Sequence, residues 1–328
     1  MSYDVQVPLR PSKKRYLAFV VPDVHLGYHT RVPSYDPLVW DVGIQALAHF
    51  APRLTHLIIL GDFGNWESLS HWSALRAEQV YIEEDIFVAQ RALDEIDAVC
   101  DKYDIRKVFI EGNHEAWAGL LEAKYPFMRN QVNLQRRLLR KRKNWTWVPD
   151  NHFFKLGKLY FTHGNIRGVR SPADMIRITG KSVVYGHTHA EEMSSIRNLD
   201  GEHLAWTAGC WSSIDPPPPY SRAWVPEKWV HSFGLAQVRS NGLFQFSTRR
   251  VIDSSYVELA DGTEIVADRR RAQARISADM RLFDKLEKEY QDRYYHPGGR
   301  VTETDLTEPL RGTEHRSRQQ RARILQRR

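Results

Sequence analysis

The chain has 328 residues, 42% of them hydrophobic, and its 47 Lys and Arg exceed its 40 Asp and Glu to give a formal net charge of +7. That length and composition exclude a fibrous or wholly disordered chain and allow one large domain with an extension or two modest domains, while the positive balance favours anionic partners. Two cysteines, Cys100 and Cys210, exclude a disulfide framework and a cysteine zinc site; no apolar run nears the roughly 20 residues of a membrane helix, so a cytoplasmic protein without membrane association is expected.

In chain order, "YLAFVV" at 16–21 is too short for a secretory core and meets Pro22, so it reads as a buried strand ending at Asp23 and His25. Residues 37–50 and 67–76 have helical patterns. "LTHLIILGD" is a second strand, closing at Asp62. From Glu78 to Tyr103, Ile82, Ile86, Ala89, Leu93, Ile96 and Val99 recur every three or four residues and mark one apolar helix stripe. "KVFIEGNHE" then ends in Asn113, His114 and Glu115. The insert at 117–143 has helical spacing broken by Pro126 and closes on Arg136, Arg137, Arg140, Lys141, Arg142 and Lys143. Such a basic run either complements a helix C-terminus or steers phosphate. "KLYFTHG" ends at His163, and "SVVYGHTH" at His187 and His189.

Beyond residue 190, "EHLAWTAGCW", "HSFGLAQVRS" and "LFQFSTRR" read as antiparallel strands, with "SNG" as a turn. "DPPPPY" at 215–220 must be a loop, because consecutive prolines lack backbone donors. A hairpin about Asp261-Gly262, a charged helix over 268–294 and a flexible arginine-rich tail complete the chain.

Alternating strands and helices in the first half predict an α/β layered architecture. In such sheets ligands collect beyond the carboxyl ends of strands, where all five polar clusters fall. Asp23, His25, Asp62, Asn113, His163, His187 and His189 supply carboxylate, amide oxygen and imidazole but no thiolate. That set suits manganese first, then iron, zinc or nickel. Seven groups exceed the needs of one ion and match two divalent ions sharing a carboxylate, the device used for in-line attack on phosphorus. If "GHTH" were extended, His187 and His189 would project to one side.

The ordered series "DVH" 23–25, "GD" 61–62, "GNHE" 112–115, "THG" 162–164 and "GHTH" 186–189 resembles the calcineurin-like metallophosphoesterases. The resemblance implies a four-layer central β-sandwich flanked by helices as the catalytic domain over 1–250. The basic insert is expected within it, and residues 251–328 as a C-terminal extension. It also implies that Asp23, His25 and His189 hold one metal, Asn113, His163 and His187 the other, with Asp62 bridging. His114 would stay off the metals and face the leaving oxygen, while metal-activated hydroxide hydrolyses a phosphoester.

The chain departs from the protein-phosphatase branch at "GDFGNWE", where Asn65 and Trp66 stand in place of an Asp and an Arg. Trp66 cannot clamp a phosphate bidentately, so a phosphodiesterase or nuclease acting on DNA, RNA or cyclic nucleotides is favoured over a phosphomonoesterase. A non-catalytic nucleic-acid-binding scaffold is the third reading. Arg167 and Arg170 are candidate phosphate contacts or solvated loop residues. His29 is expected in a surface loop. His49, His56, His71, His152, His203 and His231 are expected in ordinary packing, as are Trp206, Trp211, Trp224 and Trp229.

Overall fold

The expected apolar runs form strands and the striped segments form helices. The computed structural model describes residues 5–6, 15–29, 31–70, 82–129, 131–164, 170–215 and 226–294. In order these give β1 (Val5–Gln6), β2 (Tyr16–Val21), β3 (Tyr28–His29), β4 (Val32–Pro33), α1 (Pro37–Phe50), β5 (His56–Ile59), α2 (Ile82–Cys100), β6 (Arg106–Ile110), α3 (Asn113–Lys124), α4 (Leu134–Leu139) and β7 (Trp145–Val148). There follow β8 (Phe153–Leu156), β9 (Leu159–Thr162), α5 (Pro172–Thr179), β10 (Ser182–Tyr185), β11 (Met193–Asn198), β12 (Gly201–Thr207), β13 (Ser232–Val238), β14 (Phe244–Arg250), β15 (Tyr256–Glu258), β16 (Glu264–Val266) and α6 (Arg269–Tyr294).

Two six-stranded sheets carry the fold, one ordered β14-β13-β2-β5-β6-β7 and the other β1-β8-β9-β10-β12-β11. In the first, β2, β5, β6 and β7 run parallel; in the second, β9, β10 and β12 do. The chain is therefore mixed α/β. The period-two alternation of a strand assigns its faces. Ala18 and Val20 of β2 join Ile58, Val108, Phe161, Val184 and Val238 in one buried cluster drawn from both sheets. Between them lies Phe19, which faces the other way, stacks on Phe233 at 4.8 Å and meets Phe50 of α1 at 6.3 Å. On the second sheet, Met175 and Ile176 of α5 pack with Phe153, Val183, Tyr185 and Ala205.

Local rules explain the helix ends. Asp36 caps α1, accepting from Leu38 and Val39 at 2.9 and 3.2 Å, with Pro37 in the first turn where its missing N–H costs nothing. Helix α3 stops at Lys124, before Pro126, which disfavours helix for its predecessor. Of the helix expected at 67–76, the described residues show the turn Glu67–Leu69, which Trp66 enters in the left-handed region at φ 48°; 71–81 fall outside the described residues. The strand expected at "EHLAWT" is antiparallel to β11 but parallel to β10, because the chain reverses twice between β10 and β12. The "SNG" and Asp261-Gly262 turns join antiparallel pairs as expected.

The chain divides into two compact units, Met1–Ser277 and Ala278–Arg328. The β15–β16 hairpin and the start of α6 fall within the first unit. Gln45 of α1 donates to the Val266 carbonyl at 3.0 Å, and Arg271 pairs with Asp41 at 2.8 Å. In the second unit the described residues are the later part of α6. The arginine-rich tail expected at the C-terminus lies outside the described residues, as do Arg167, His71 and Trp224.

The basic run of the insert is partly internal. Arg142 donates to Asp97 at 2.6 Å, to Asp94 at 2.7 Å and to the Gln90 carbonyl at 2.8 Å. Arg137 pairs with Glu83 of α2. Asp97 also accepts from Trp145 at 2.9 Å and from Lys107, a fully buried β6 residue that also pairs with Asp101. A buried ammonium is tolerated only when paired. Lys107→Ala is expected to destabilise the protein by about 3 kcal/mol, seen as a lower urea midpoint at unchanged m-value; an unchanged midpoint would mean the network contributes nothing to folding.

Candidate metal centre

Three parallel strands of one sheet and two of the other end at the same place, so short loops carry all seven candidate ligands together. Asp23 and His25 follow β2, Asp62 follows β5, and Asn113 opens α3 directly after β6. His163 follows β9, and His187 and His189 follow β10. The His187 N–H ties the two sheets together over the centre by donating to both Asp23 oxygens at 2.8 and 3.0 Å, and within the second sheet Gly186 donates to the His163 carbonyl.

The glycines preceding these residues have a steric reason. A Cβ on Gly112 would stand 2.3 Å from the Asp62 amide nitrogen and from its carboxylate, and one on Gly186 would stand 2.4 Å from the Asp23 carboxylate. Both distances are far inside van der Waals contact. Four candidate ligands adopt the sparsely populated left-handed region: His25 (φ 56°), Asp62 (φ 44°), His187 (φ 70°) and His189 (φ 57°). Backbone strain of this kind concentrates at functional sites. The same angles correct the extended geometry expected for "GHTH". The two histidines reach one centre through a looped backbone rather than through strand alternation.

Ligand atoms of Asp23, His25 and His189 lie within 4.8 Å of one another, as do those of Asp62, His163 and His187. A further triad, His25, Asp62 and His114, links the two. The Asp62 Oδ2 atom is 3.2 Å from His163 Nε2, 3.8 Å from His25 Nε2 and 4.0 Å from His114 Nε2. Asn113 Oδ1 sits 2.9 Å from both His163 Nε2 and His187 Nδ1. His25 and His189 meet through their Nε2 atoms at 3.0 Å.

Proton accounting tests whether this set fits a cation. His163 Nδ1 lies 3.0 Å from the Leu60 carbonyl, which can only accept, so Nδ1 carries the hydrogen. Its Nε2 then faces the Asn113 carbonyl oxygen and the Asp62 carboxylate, both acceptors. Buried acceptors facing acceptors need a positive centre between them, either a proton or a metal. Electrostatics agree. Burial works against charge on His163, yet Asp62 and Asp23 outweigh it and raise its pKa to about 10. Burial also opposes ionisation of Asp62, but the charges of His163 and His114 hold it well below the usual range. Asp23 is pushed up to about 7, chiefly by burial. Burial lowers His25 to about 3 and His187 to about 4, and holds His189 well below normal, each also repelled by a neighbouring histidine. Neutral imidazoles and carboxylates are what a divalent cation requires. The donor set fits metal binding.

Glu115, which closes "KVFIEGNHE", is fully buried. Its Oε1 accepts from Phe63 N at 3.0 Å, Gly64 N at 3.1 Å and Trp66 Nε1 at 2.8 Å; its Oε2 accepts from Asp62 N and Gly112 N, each at 2.9 Å. Burial and the Asp62 charge push its carboxyl up against these donors. His114 donates from its backbone to Asp62 Oδ1 at 2.9 Å, and its Nδ1 meets the Asn65 carbonyl at 2.8 Å. Asn65 thus partners His114 through its main chain, whatever its side chain lacks. Trp66 is completely buried, with no surface left for a phosphate.

Two aromatic residues at the centre carry no clear mark in the sequence pattern. Trp117 packs tilted against His114 with ring centroids 4.1 Å apart, and Trp229, expected in ordinary packing, lies 4.2 Å from the His189 ring by centroids. The helical spacing 114–117 is a signal for the first; nothing local signals the second. Arg170 is exposed and bonds Asp174 through its backbone. His29 sits half-buried in the β3–β4 hairpin. His49 pairs with Asp261, and His231 meets the Ser212 carbonyl at 2.9 Å. Trp206 packs on Phe246, and Trp211 on Trp40.

No family model matches the chain, and no curated protein does. Among solved structures, a conserved uncharacterized protein of Streptococcus pneumoniae TIGR4, described as a predicted phosphoesterase, is 12% identical. The match covers 73% of this chain and 100% of that one, with a TM-score of 0.30. A likeness at that level carries no weight for function.

Two outcomes follow. Binding of manganese at pH 7 is expected to release about one proton from His163 and a fraction from Asp23, with apparent affinity falling as pH drops; calorimetry in buffers of different ionisation enthalpy measures this. Buffer-independent heats would mean that no protonated ligand is displaced. Glu115→Gln replaces two acceptors with one acceptor and one donor that faces backbone N–H groups, and should weaken manganese affinity by about 10- to 100-fold.

Proposed function

We propose that this protein is a dinuclear metal-dependent phosphoesterase acting on phosphodiesters, such as nucleic acid or cyclic nucleotides. The observation that carries the reading is the position of Asp62, whose carboxylate stands between the Asp23–His25–His189 triad and the His163–His187–Asn113 group. In this reading Asp23, His25 and His189 hold one ion, Asn113, His163 and His187 the other, and Asp62 both. Manganese suits the donor set, as do iron, zinc and nickel. The layered arrangement implied by the motif series, helix, sheet, sheet and helix, is supported by the core common to both sheets and by α1 and α5 on their outer sides.

When bound, two divalent cations would lower the pKa of a water to about 7 and neutralise charge on the phosphoryl oxygens. The chain's own residues supply the rest. With Nδ1 committed to the Asn65 carbonyl, His114 can hold a second proton only at Nε2, the atom on the Asp62 side. That proton is placed for the departing oxygen, the role of a general acid. Trp117 against one ring face restricts His114 to this orientation.

The choice of diester over monoester rests on residues 65 and 66. A second, fully charged phosphate face calls for a fixed guanidinium clamp. Trp66 occupies the corresponding position and is buried against Glu115. Arg170 is exposed close by in sequence to His163 and remains a candidate phosphate contact, with Arg167.

Protein loaded with manganese is expected to contain about two ions per chain and to hydrolyse bis-p-nitrophenyl phosphate faster than p-nitrophenyl phosphate. His114→Ala should retain its metal while turnover falls about 100-fold or more. Wild-type turnover by that variant on a substrate with a poor leaving group would remove the assigned role. Faster monoester than diester hydrolysis would replace this reading with a phosphomonoesterase.

A further inference from the structure

The outer face of α3 leaves the candidate centre and runs to the surface as an aromatic and basic strip. At about 100° per residue, His114, Trp117, Leu120, Leu121 and Lys124 fall within an arc of about 120°. Glu115, Ala118 and Glu122 occupy the opposite face, where Glu115 and Ala118 are buried. Every carboxylate of this helix is therefore turned away from the strip. Trp117 touches His114, so the strip begins at the proposed general acid. It ends in the turn Pro126–Met128, where Tyr125 and Phe127 lie 6.0 Å apart by ring centroids.

These side chains are unusually open for their size: Leu120 is 65% exposed, Tyr125 40% and Phe127 74%. Isolated apolar residues on a surface need no account, but neighbouring ones that form a patch mark a contact site. Cations accompany them. Lys124 Nζ lies 5.2 Å over the Tyr125 ring, and Lys124 and Arg129 are both exposed. Rings interleaved with cations, free of acids, suit single-stranded nucleic acid: each base presents a π-face to an aromatic side chain while the backbone meets positive charge. The stretch from His114 to Tyr125 spans about 16 Å of axis, roughly five nucleotides at their stacked spacing of about 3.4 Å.

We propose that this face of α3, continued through Tyr125, Phe127 and Arg129, is the track that carries a single-stranded DNA or RNA substrate to the candidate centre. The proposal rests on the phosphodiesterase reading and names its substrate class. Trp117 receives the nucleotide next to the scissile phosphate, and Tyr125 and Phe127 receive bases about four positions away. A small diester reaches none of the distal residues.

The test uses the full chain with manganese, reading binding of fluorescein-labelled dT12 by anisotropy beside hydrolysis of bis-p-nitrophenyl phosphate. Tyr125→Ala/Phe127→Ala is expected to weaken dT12 binding about tenfold or more while leaving small-diester turnover and melting temperature unchanged. Lys124→Gln/Arg129→Gln should flatten the slope of log affinity against log salt by about 0.7 for each phosphate that the variant no longer neutralises. Unchanged dT12 affinity in the aromatic variant, with small-diester hydrolysis intact, overturns the track and leaves the phosphodiesterase reading standing. Wild-type dT12 binding that the aromatic variant loses, without hydrolysis of any ester, supports the strip as a nucleic-acid surface and overturns the catalytic reading. Two further results would also reject the proposal. One is wild-type protein that ignores dT12 but binds vesicles of phosphatidylcholine and phosphatidylserine. The other is a dimer in sedimentation that only the aromatic variant dissolves.

Discussion

A group of buried acceptors that cannot satisfy one another governs the architecture of this centre. The Leu60 carbonyl fixes the hydrogen of His163 on Nδ1, and its Nε2 then confronts the Asn113 oxygen and the Asp62 carboxylate. Such an arrangement is costly to bury without a positive charge. Folding nonetheless builds it, with Asp62 reached by groups from both sheets, because hydrogen bonds and close backbone contacts around it leave the loops few alternatives. The pKa directions are another view of the same geometry: the carboxylates lift His163 while burial drains charge from His25, His187 and His189.

Glu115 supplies much of that constraint. Its two oxygens gather backbone N–H groups of Asp62, Phe63, Gly64 and Gly112 and the indole N–H of Trp66. One carboxylate thus sets the loop after β5 against the start of α3. Asp62, Asn113 and His114 depend on that junction for their positions. Trp66 belongs to the same arrangement, fully buried with its indole N–H on Glu115. It supports the loop from within rather than meeting substrate. The basic run of the insert divides in the same way, with Arg137 and Arg142 engaged in ion pairs to α2 and the rest on the surface.

Helix α3 joins these two scales. Its first turn lies inside the centre, its inner face is buried on Glu115 and Ala118, and its outer face carries rings and cations outward. In the proposed reading, a short helix that begins at the candidate centre and ends in exposed aromatics would give one rigid element both a positioning and a recognition role, and rigid elements hold such geometry better than loops.

The strands β2, β5, β6, β9, β10, β12, β13 and β14, the helices α1, α2 and α6 and the strand-end positions of the seven candidate ligands were legible in consecutive residues, whereas β7, β8, β11 and α5 were not. Apolar runs of strand length ending in Asp, Asn or His are local patterns, and such patterns need no knowledge of the distant chain. The spacing at 82–99 found α2, and the "SNG" and Asp261-Gly262 turns found their hairpins. Other features arose only on folding. The assembled chain set β12 parallel to β10, bent "GHTH" out of the extended form, buried Trp66, gave His114 the Asn65 carbonyl as partner and brought Trp229 onto His189 from far along the sequence. Each of these depends on which distant backbone arrives at a given point, and contacts across such separations leave no periodicity to read.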